Sequence, residues 1–390
     1  FFDQDRKKTL ASRVPELDKV VYHNKLGTQG LRMRYVRAIA NLIGRQLNGD
    51  TLGAQAYEAA TLAKADLLTD MVGEFPELQG IMGRYYAQHE GLSDDVAFAI
   101  EDHYKPRFAG DELPRNQVGV CVALADKLET LVNMFGIGEI PTGDKDPFAL
   151  RRHALGVIRI LVEKDLLLDL NTLVQRIVEI IEDKEIFEQN FDNKKRSAEL
   201  AFPQDFGDFV SSLFRQISKE STEQLLAFIY ERLAGSLREQ GYTAQEVDAV
   251  LSLNPQQLSD IPKRLAAVRV FTALPEAASL AAANKRVGNI LKKTEGSISD
   301  TVDTGLLQEP AEQTLYQALT SLSSKTNEAF IAGDYTASLQ ILAALKLPVD
   351  TFFDHVMVNV EDEALRNNRL ALLAQLHQIM NRVADLSKLA

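Results

Sequence analysis

Apolar residues recur along most of the chain at steps of three and four, and no stretch alternates strictly between apolar and polar positions inside hairpin turns. The pattern predicts an all-α protein. Towards the C-terminal end, Leu365, Leu372, Leu376, Ile379, Val383 and Leu386 fall on one helical face, a stripe suited to burial. Glu361-Asp362-Glu363 marks the start of that helix, because carboxylates in a first turn meet unpaired backbone N–H groups and the positive end of the dipole. Asp146-Pro147 supplies a cap and a proline at the first helical position, so 148–163 reads as a further helix, preceded by a Gly- and Pro-containing loop over 136–145. Ser93-Asp94-Asp95 opens another after Gly91, and Lys105-Pro106 closes it.

These stops and starts divide the chain. Helices follow one another closely from about residue 16 to 165, and the charged stretch from Glu182 to Arg196 reads as a solvated segment or linker. A second helical run extends from Gln204 to about Phe271. A third begins near Pro275, crosses a polar connection over 296–305 and continues to the end. No fixed-period repeat emerges, so a solenoid is not indicated.

With 45% apolar and 25% charged residues, the 390-residue chain has the composition of a folded protein of two or three domains, not of a disordered or fibrous one. No run is long and apolar enough for a membrane span and no leader opens the chain, so the expectation is a cytoplasmic protein without membrane contact. Cys121 is the one cysteine and reads as a small core residue. A net charge of −12 argues against broad nucleic-acid binding, but the charge is unevenly spread. Residues 1–45 carry ten Lys/Arg against four Asp/Glu, and residues 263–295 carry seven against two. Two basic islands on an acidic body suit contact with structured nucleic acid at chosen points; the alternative is two solvated helix faces.

No phosphate-binding loop, dinucleotide fingerprint, nucleophile elbow or Cys/His zinc spacing occurs. No histidine stands in a triad pattern, and the acidic pairs at helix starts read as caps. One metal-type constellation remains: His23, Asp66 and Asp126 follow the order of HD-domain phosphohydrolases, but Ala65 occupies the place of the second histidine. A metal centre there lacks a donor, so the site is expected to be metal-free, with Asp66 and Asp126 capping helices or pairing with Lys64, Lys127 or an arginine.

The run Leu62-Ala-Lys-Ala-Asp-Leu-Leu-Thr-Asp-Met-Val-Gly-Glu-Phe-Pro-Glu-Leu-Gln-Gly-Ile-Met-Gly-Arg-Tyr-Tyr-Ala87 resembles the β-subunit family of bacterial heterotetrameric glycyl-tRNA synthetases. So do Pro106-Arg-Phe-Ala-Gly-Asp-Glu-Leu-Pro114, Ala123-Leu-Ala-Asp-Lys-Leu128, and Phe135-Gly-Ile-Gly138 leading into Gly143-Asp-Lys-Asp-Pro-Phe-Ala-Leu-Arg-Arg152. Ala282-Ala-Asn-Lys-Arg-Val-Gly-Asn-Ile-Leu291, Phe352-Phe-Asp-His-Val-Met-Val358 and Arg366-Asn-Asn-Arg-Leu370 extend the likeness almost throughout. The resemblance implies an HD-like domain over 1–165 with a linker remnant, a helical connecting region over 166–270 and an anticodon-binding domain over 271–390. Because family members extend further at the N-terminus and this chain opens at Phe1 without a Met, it resembles a C-terminal portion of such a subunit.

It also implies tRNA(Gly) as partner, an α2β2 complex with an α subunit, and no catalytic residue or cofactor in this chain. ATP and Mg are expected in the α subunit, where glycine is activated. Lys64, Arg84, Lys145, Arg151 and Arg152 become candidates for the acceptor arm, the last two favoured by free backbone donors at a helix start. Arg366, Asn368 and Arg369, with Lys285, Arg286 and Asn289, become candidates for the anticodon. Arg369 has a structural alternative in an ion pair with Asp350 or Asp354. The rivals are an HD-type metal phosphohydrolase and a helical scaffold without RNA affinity.

Overall fold

The computed structural model describes residues 1–183, 217–294 and 296–390, and these are overwhelmingly helical. The charged stretch after Asp183 and the start of the second helical run at Gln204 lie outside the described residues. Two compact units are present, one of residues 1–233 with 256–258 and one of 234–255 with 259–390.

The first unit comprises α1 (Phe2–Asp5), α2 (Leu10–Arg13), α3 (Gln29–Leu62), α4 (Asp70–Glu74), α5 (Ile81–His89), α6 (Asp94–Asp102), α7 (Gln117–Gly136), α8 (Leu150–Glu163), α9 (Leu170–Ile181) and α10 (Lys219–Glu239) up to Leu233. At its centre is α7, in which every residue from Val118 to Phe135 is buried. A helix apolar around most of its circumference needs neighbours on all sides, and α3, α6, α8 and α9 provide them. Cys121 lies fully buried within α7, and burial pushes its thiol up to about 12, consistent with a core role. Long α3 is broken at Asn48 and Gly49, where Gly49 takes φ 80°, and across the break Gly44 and Gly53 pack so closely that a Cβ on Gly44 would stand 2.8 Å from the Gly53 backbone.

The second unit continues with α11 (Ala244–Leu251), α12 (Ile261–Thr272), α13 (Ala277–Lys292), α14 (Pro310–Ile331), α15 (Tyr335–Ile341), α16 (Lys346–His355) and α17 (Glu363–Met380). Here α13 packs on α17 and on the final turn Leu386–Leu389, while α14 packs on α15, α16 and α17.

The expected caps are present. Ser93 Oγ accepts from the Val96 N–H at 3.3 Å, and Asp362 accepts from the Leu365 N–H at 3.1 Å. Three local expectations are corrected. Helix α8 begins at Leu150, not 148, because Ala149 adopts a left-handed φ of 56°. The stripe ending at Leu386 is not one helix: Asn381 donates to the His377 carbonyl at 2.7 Å, ending α17, and the buried Val383 and Leu386 lie beyond it. A small antiparallel hairpin, β1 (Val21–His23) with β2 (Gly27–Thr28), interrupts the helices. It is too short to show alternation; residues 24–26 make its turn, and Gly27 at φ 88° leads the chain back into β2. No single helix among the described residues is long and apolar enough to cross a membrane.

Candidate nucleic-acid interface

The metal-type positions in the first unit are filled by internal partners. Asp66, fully buried after α3, accepts from the Gly80 N–H at 2.6 Å and the Gly83 N–H at 3.1 Å. It thereby caps α5 from afar, which explains the spacing of the Asp66, Gly80 and Gly83 motif. Gly80 takes φ 81°, and a Cβ on Gly83 would stand 2.7 Å from Ile100 and 3.1 Å from Asp66 Oδ2. Asp126 faces Arg32 at 3.0 Å and the Lys64 ammonium at 3.7 Å. Burial opposes its charge, but these two cations hold the carboxyl well below the usual range. His23 lies apart on β1, its Nδ1 accepting from the Lys25 N–H and its ring against Phe148. Among the described residues these three form no metal-holding group.

Two proposed acceptor-arm cations are also engaged within the unit. Lys64 is 5% exposed, stands 3.7 Å from the Tyr104 ring centre, and is pushed down to about 8 by burial. A phosphate cannot reach it without opening the unit. Arg84 pairs with Glu101 at 2.6 Å and lies 4.4 Å from the Tyr85 ring centre, so its charge is already neutralised. The free-donor argument at α8 also fails, because the Asp146 carboxylate accepts from the Leu150 and Arg151 N–H groups at 2.8 and 3.0 Å. Arg151 donates to the Gly143 carbonyl, tying the loop to the helix. Lys145 and Arg152 are exposed, without a side-chain partner among the described residues.

The Arg366, Asn368 and Arg369 set sorts the same way. Arg369 is 4% exposed, and its Nε donates to Glu312 Oε1 at 2.6 Å while another nitrogen donates to the Met357 carbonyl at 2.7 Å. Its partner is Glu312, not Asp350, which is held by Lys346 and Ser279, nor Asp354. Asn368 is likewise buried and grips the Asp303 backbone, donating at 2.9 Å and accepting at 2.7 Å. These corrections share a cause. Residues 368–373 are all buried, so the middle of α17 has no solvent face to offer RNA. Arg366, half-buried, donates to the Val360 carbonyl at 2.8 Å.

Helix α13 is different. It buries Ala277, Leu280, Ala281, Asn284 and Val287, with Asn284 and Asn381 exchanging amide hydrogen bonds at 2.7 and 2.9 Å. The 3.6-residue period then sends Lys285, Arg286 and Asn289 outward, where with Ala282, Ile290 and Lys293 they line an open groove of about 410 Å³. The Arg286 guanidinium lies 4.2 Å from the centre of the Phe353 ring, which packs edge-on against the fully buried Phe352. Among the described residues, three cations and no carboxylate line this groove in an acidic chain.

Comparison with known proteins fits these features. Residues 1–252 match the family described as glycyl-tRNA synthetase beta subunit, and residues 280–388 match the DALR anticodon binding domain. The chain belongs to the glycyl-tRNA synthetase beta-subunit family. Similar relatives include the glycine–tRNA ligase beta subunits of Nitrosomonas eutropha and Nitrosomonas europaea, each 62% identical over all of this chain and 52% of their own length. That of a Janthinobacterium species is 64% identical, over all of this chain and 51% of its own. The chain therefore spans about half the length of these relatives.

In this beta-subunit family member, the residue that sequence reading overlooked is Arg32. It donates to Glu129 at 2.8 Å, to Thr130 at 2.8 Å and to the Asp126 carbonyl at 3.1 Å, joining α3 to α7. His103 and His153 lie beside this network, both driven towards the neutral form by burial, His153 to about 4. The available signal was Asp126-Lys127-Leu128-Glu129 inside an otherwise apolar helix, which marks a buried polar cluster.

Proposed function

We propose that this chain is the tRNA-holding part of a glycyl-tRNA synthetase beta subunit. In this reading an α subunit carries ATP, Mg and glycine activation, in an α2β2 complex, and no catalytic group or cofactor is needed here. The HD-like part over 1–165 serves the acceptor arm through Lys145 and Arg152, a connecting region follows over 166–270, and 271–390 serves the anticodon. Cytoplasmic residence belongs to the same reading. The observation that carries it is the solvent-facing cationic stripe on α13, inside the stretch that matches an anticodon-binding domain. The phosphohydrolase reading has no comparable support, since Asp66 and Asp126 are engaged by backbone N–H groups and internal cations.

Titration of the chain with tRNA(Gly) over a range of salt concentrations tests the proposal. Affinity should fall linearly in log–log form with salt, and a tRNA altered only in its anticodon should bind more weakly. Equal affinity for both tRNAs would remove the anticodon assignment, and absence of binding would leave the scaffold reading.

A further inference from the structure

We propose that Arg286 and Phe353 form a stacking platform for one unpaired nucleobase, so that the α13 groove selects looped over duplex RNA. The inference rests on the tRNA-binding reading and adds the form of RNA that this face takes. One side of the Arg286 guanidinium is covered by the Phe353 ring at 4.2 Å, and the ring is fixed in turn by Phe352, at 5.5 Å between ring centres. Arg286 is itself exposed, so the other side of its plane is open to the groove. A guanidinium held flat by an aromatic ring presents a rigid π-like surface, on which a base can lie whatever its sequence. Bases inside a duplex present only edges and cannot reach such a surface.

The neighbours suit the same ligand. Asn289, one helical turn beyond Arg286, offers both a donor and an acceptor to a base edge. Lys285 and Lys293 flank it along the groove as point charges for the phosphates on either side of the stacked nucleotide. Ile290 adds an apolar contact. A purely electrostatic patch would need the charges but not the ring beneath one of them.

The test compares two fluorescent RNAs on the whole chain, a hairpin with an unpaired loop bearing the glycine anticodon and a blunt duplex of the same stem. Arg286→Lys keeps the charge and removes the plane, so it should weaken hairpin binding about tenfold, the scale of one lost base stack, while duplex affinity and the salt slope stay unchanged. Phe353→Leu leaves an apolar side chain beneath the arginine and should weaken hairpin binding in the same selective way, with thermal melting confirming that it folds. Unchanged hairpin affinity in Arg286→Lys, or equal losses on both RNAs, overturns the platform. The two readings can fail separately. If a hairpin with another anticodon binds the wild-type chain equally well while Arg286→Lys still discriminates, the platform stands and anticodon recognition falls; the converse result removes the platform alone.

Discussion

The two units use cations in opposite ways. In the first, Arg32 and Lys64 sit in a buried network with Asp126 and Glu129; in the second, Lys285, Arg286 and Lys293 stand on the solvent side of a helix with no carboxylate among the described groove residues. Lys64, Lys285 and Arg286 all lie in runs that resemble one family, and all three read as RNA contacts from the sequence. The difference is the far side of the helix. Where α7 is enclosed on every face, charge is retained only if paired, and it then holds helices together; where α13 has one buried face, the opposite charges remain free to meet a ligand.

The largest effect should come from breaking the internal network. Arg32→Ala leaves Asp126 and Glu129 facing each other in the core, and should cost about 3–5 kcal/mol of stability in urea unfolding. A loss below about 1 kcal/mol would show that water reaches this network and that its cations differ little from those on α13. Arg369→Ala extends the comparison into the second unit. It strands Glu312, which is fully buried, and should cost about 3 kcal/mol while leaving tRNA affinity per folded molecule unchanged. A selective loss of tRNA affinity at full stability would return Arg369 to the RNA face.

Lys64→Met tests the same network through pH. Burial lowers the folded-state value of Lys64 from 10.5 to about 8, so the ammonium is penalised in the folded protein and not in the unfolded chain. Between about pH 8 and 10.5 the unfolded state binds more protons, and the wild-type protein gains stability from this group as pH rises. The variant lacks the penalty. It should be more stable than wild type by about 1–3 kcal/mol below pH 8, and that advantage should shrink towards pH 10.5. A difference independent of pH would mean that packing, not charge, separates the two proteins.

Periodicity and caps made the helical class legible, and Ser93 and Asp362 stand at the helix starts where their chemistry suggested. Asp66 and Asp126 likewise found the internal partners that a missing histidine pointed to. What could not be read was partnership across distance. Arg32 meets Glu129 across 97 positions and Arg369 meets Glu312 across 57, and nothing local announces either pair. The same holds for the ring beneath Arg286. The resemblance made Arg366 and Arg369 candidates for RNA, and the one visible apolar stripe did not show that the other side of α17 is covered as well.

The smallest expected effect bears on the outer set. Lys285 is exposed with no side-chain partner among the described residues, so Lys285→Ala removes a charge without stranding another. Stability should stay within about 0.5 kcal/mol of wild type, as for surface substitutions generally. If Lys285 meets a phosphate, tRNA binding should weaken by about 1 kcal/mol, roughly equally for any anticodon, and the salt slope should drop by about one ion. That uniformity separates it from Arg286→Lys, whose loss should depend on an unpaired base and leave the slope intact. An unchanged slope in Lys285→Ala would place the phosphate path elsewhere on the unit. A slope reduced in Lys285→Ala but not in Arg286→Lys would show one helix face dividing its labour between charge and plane.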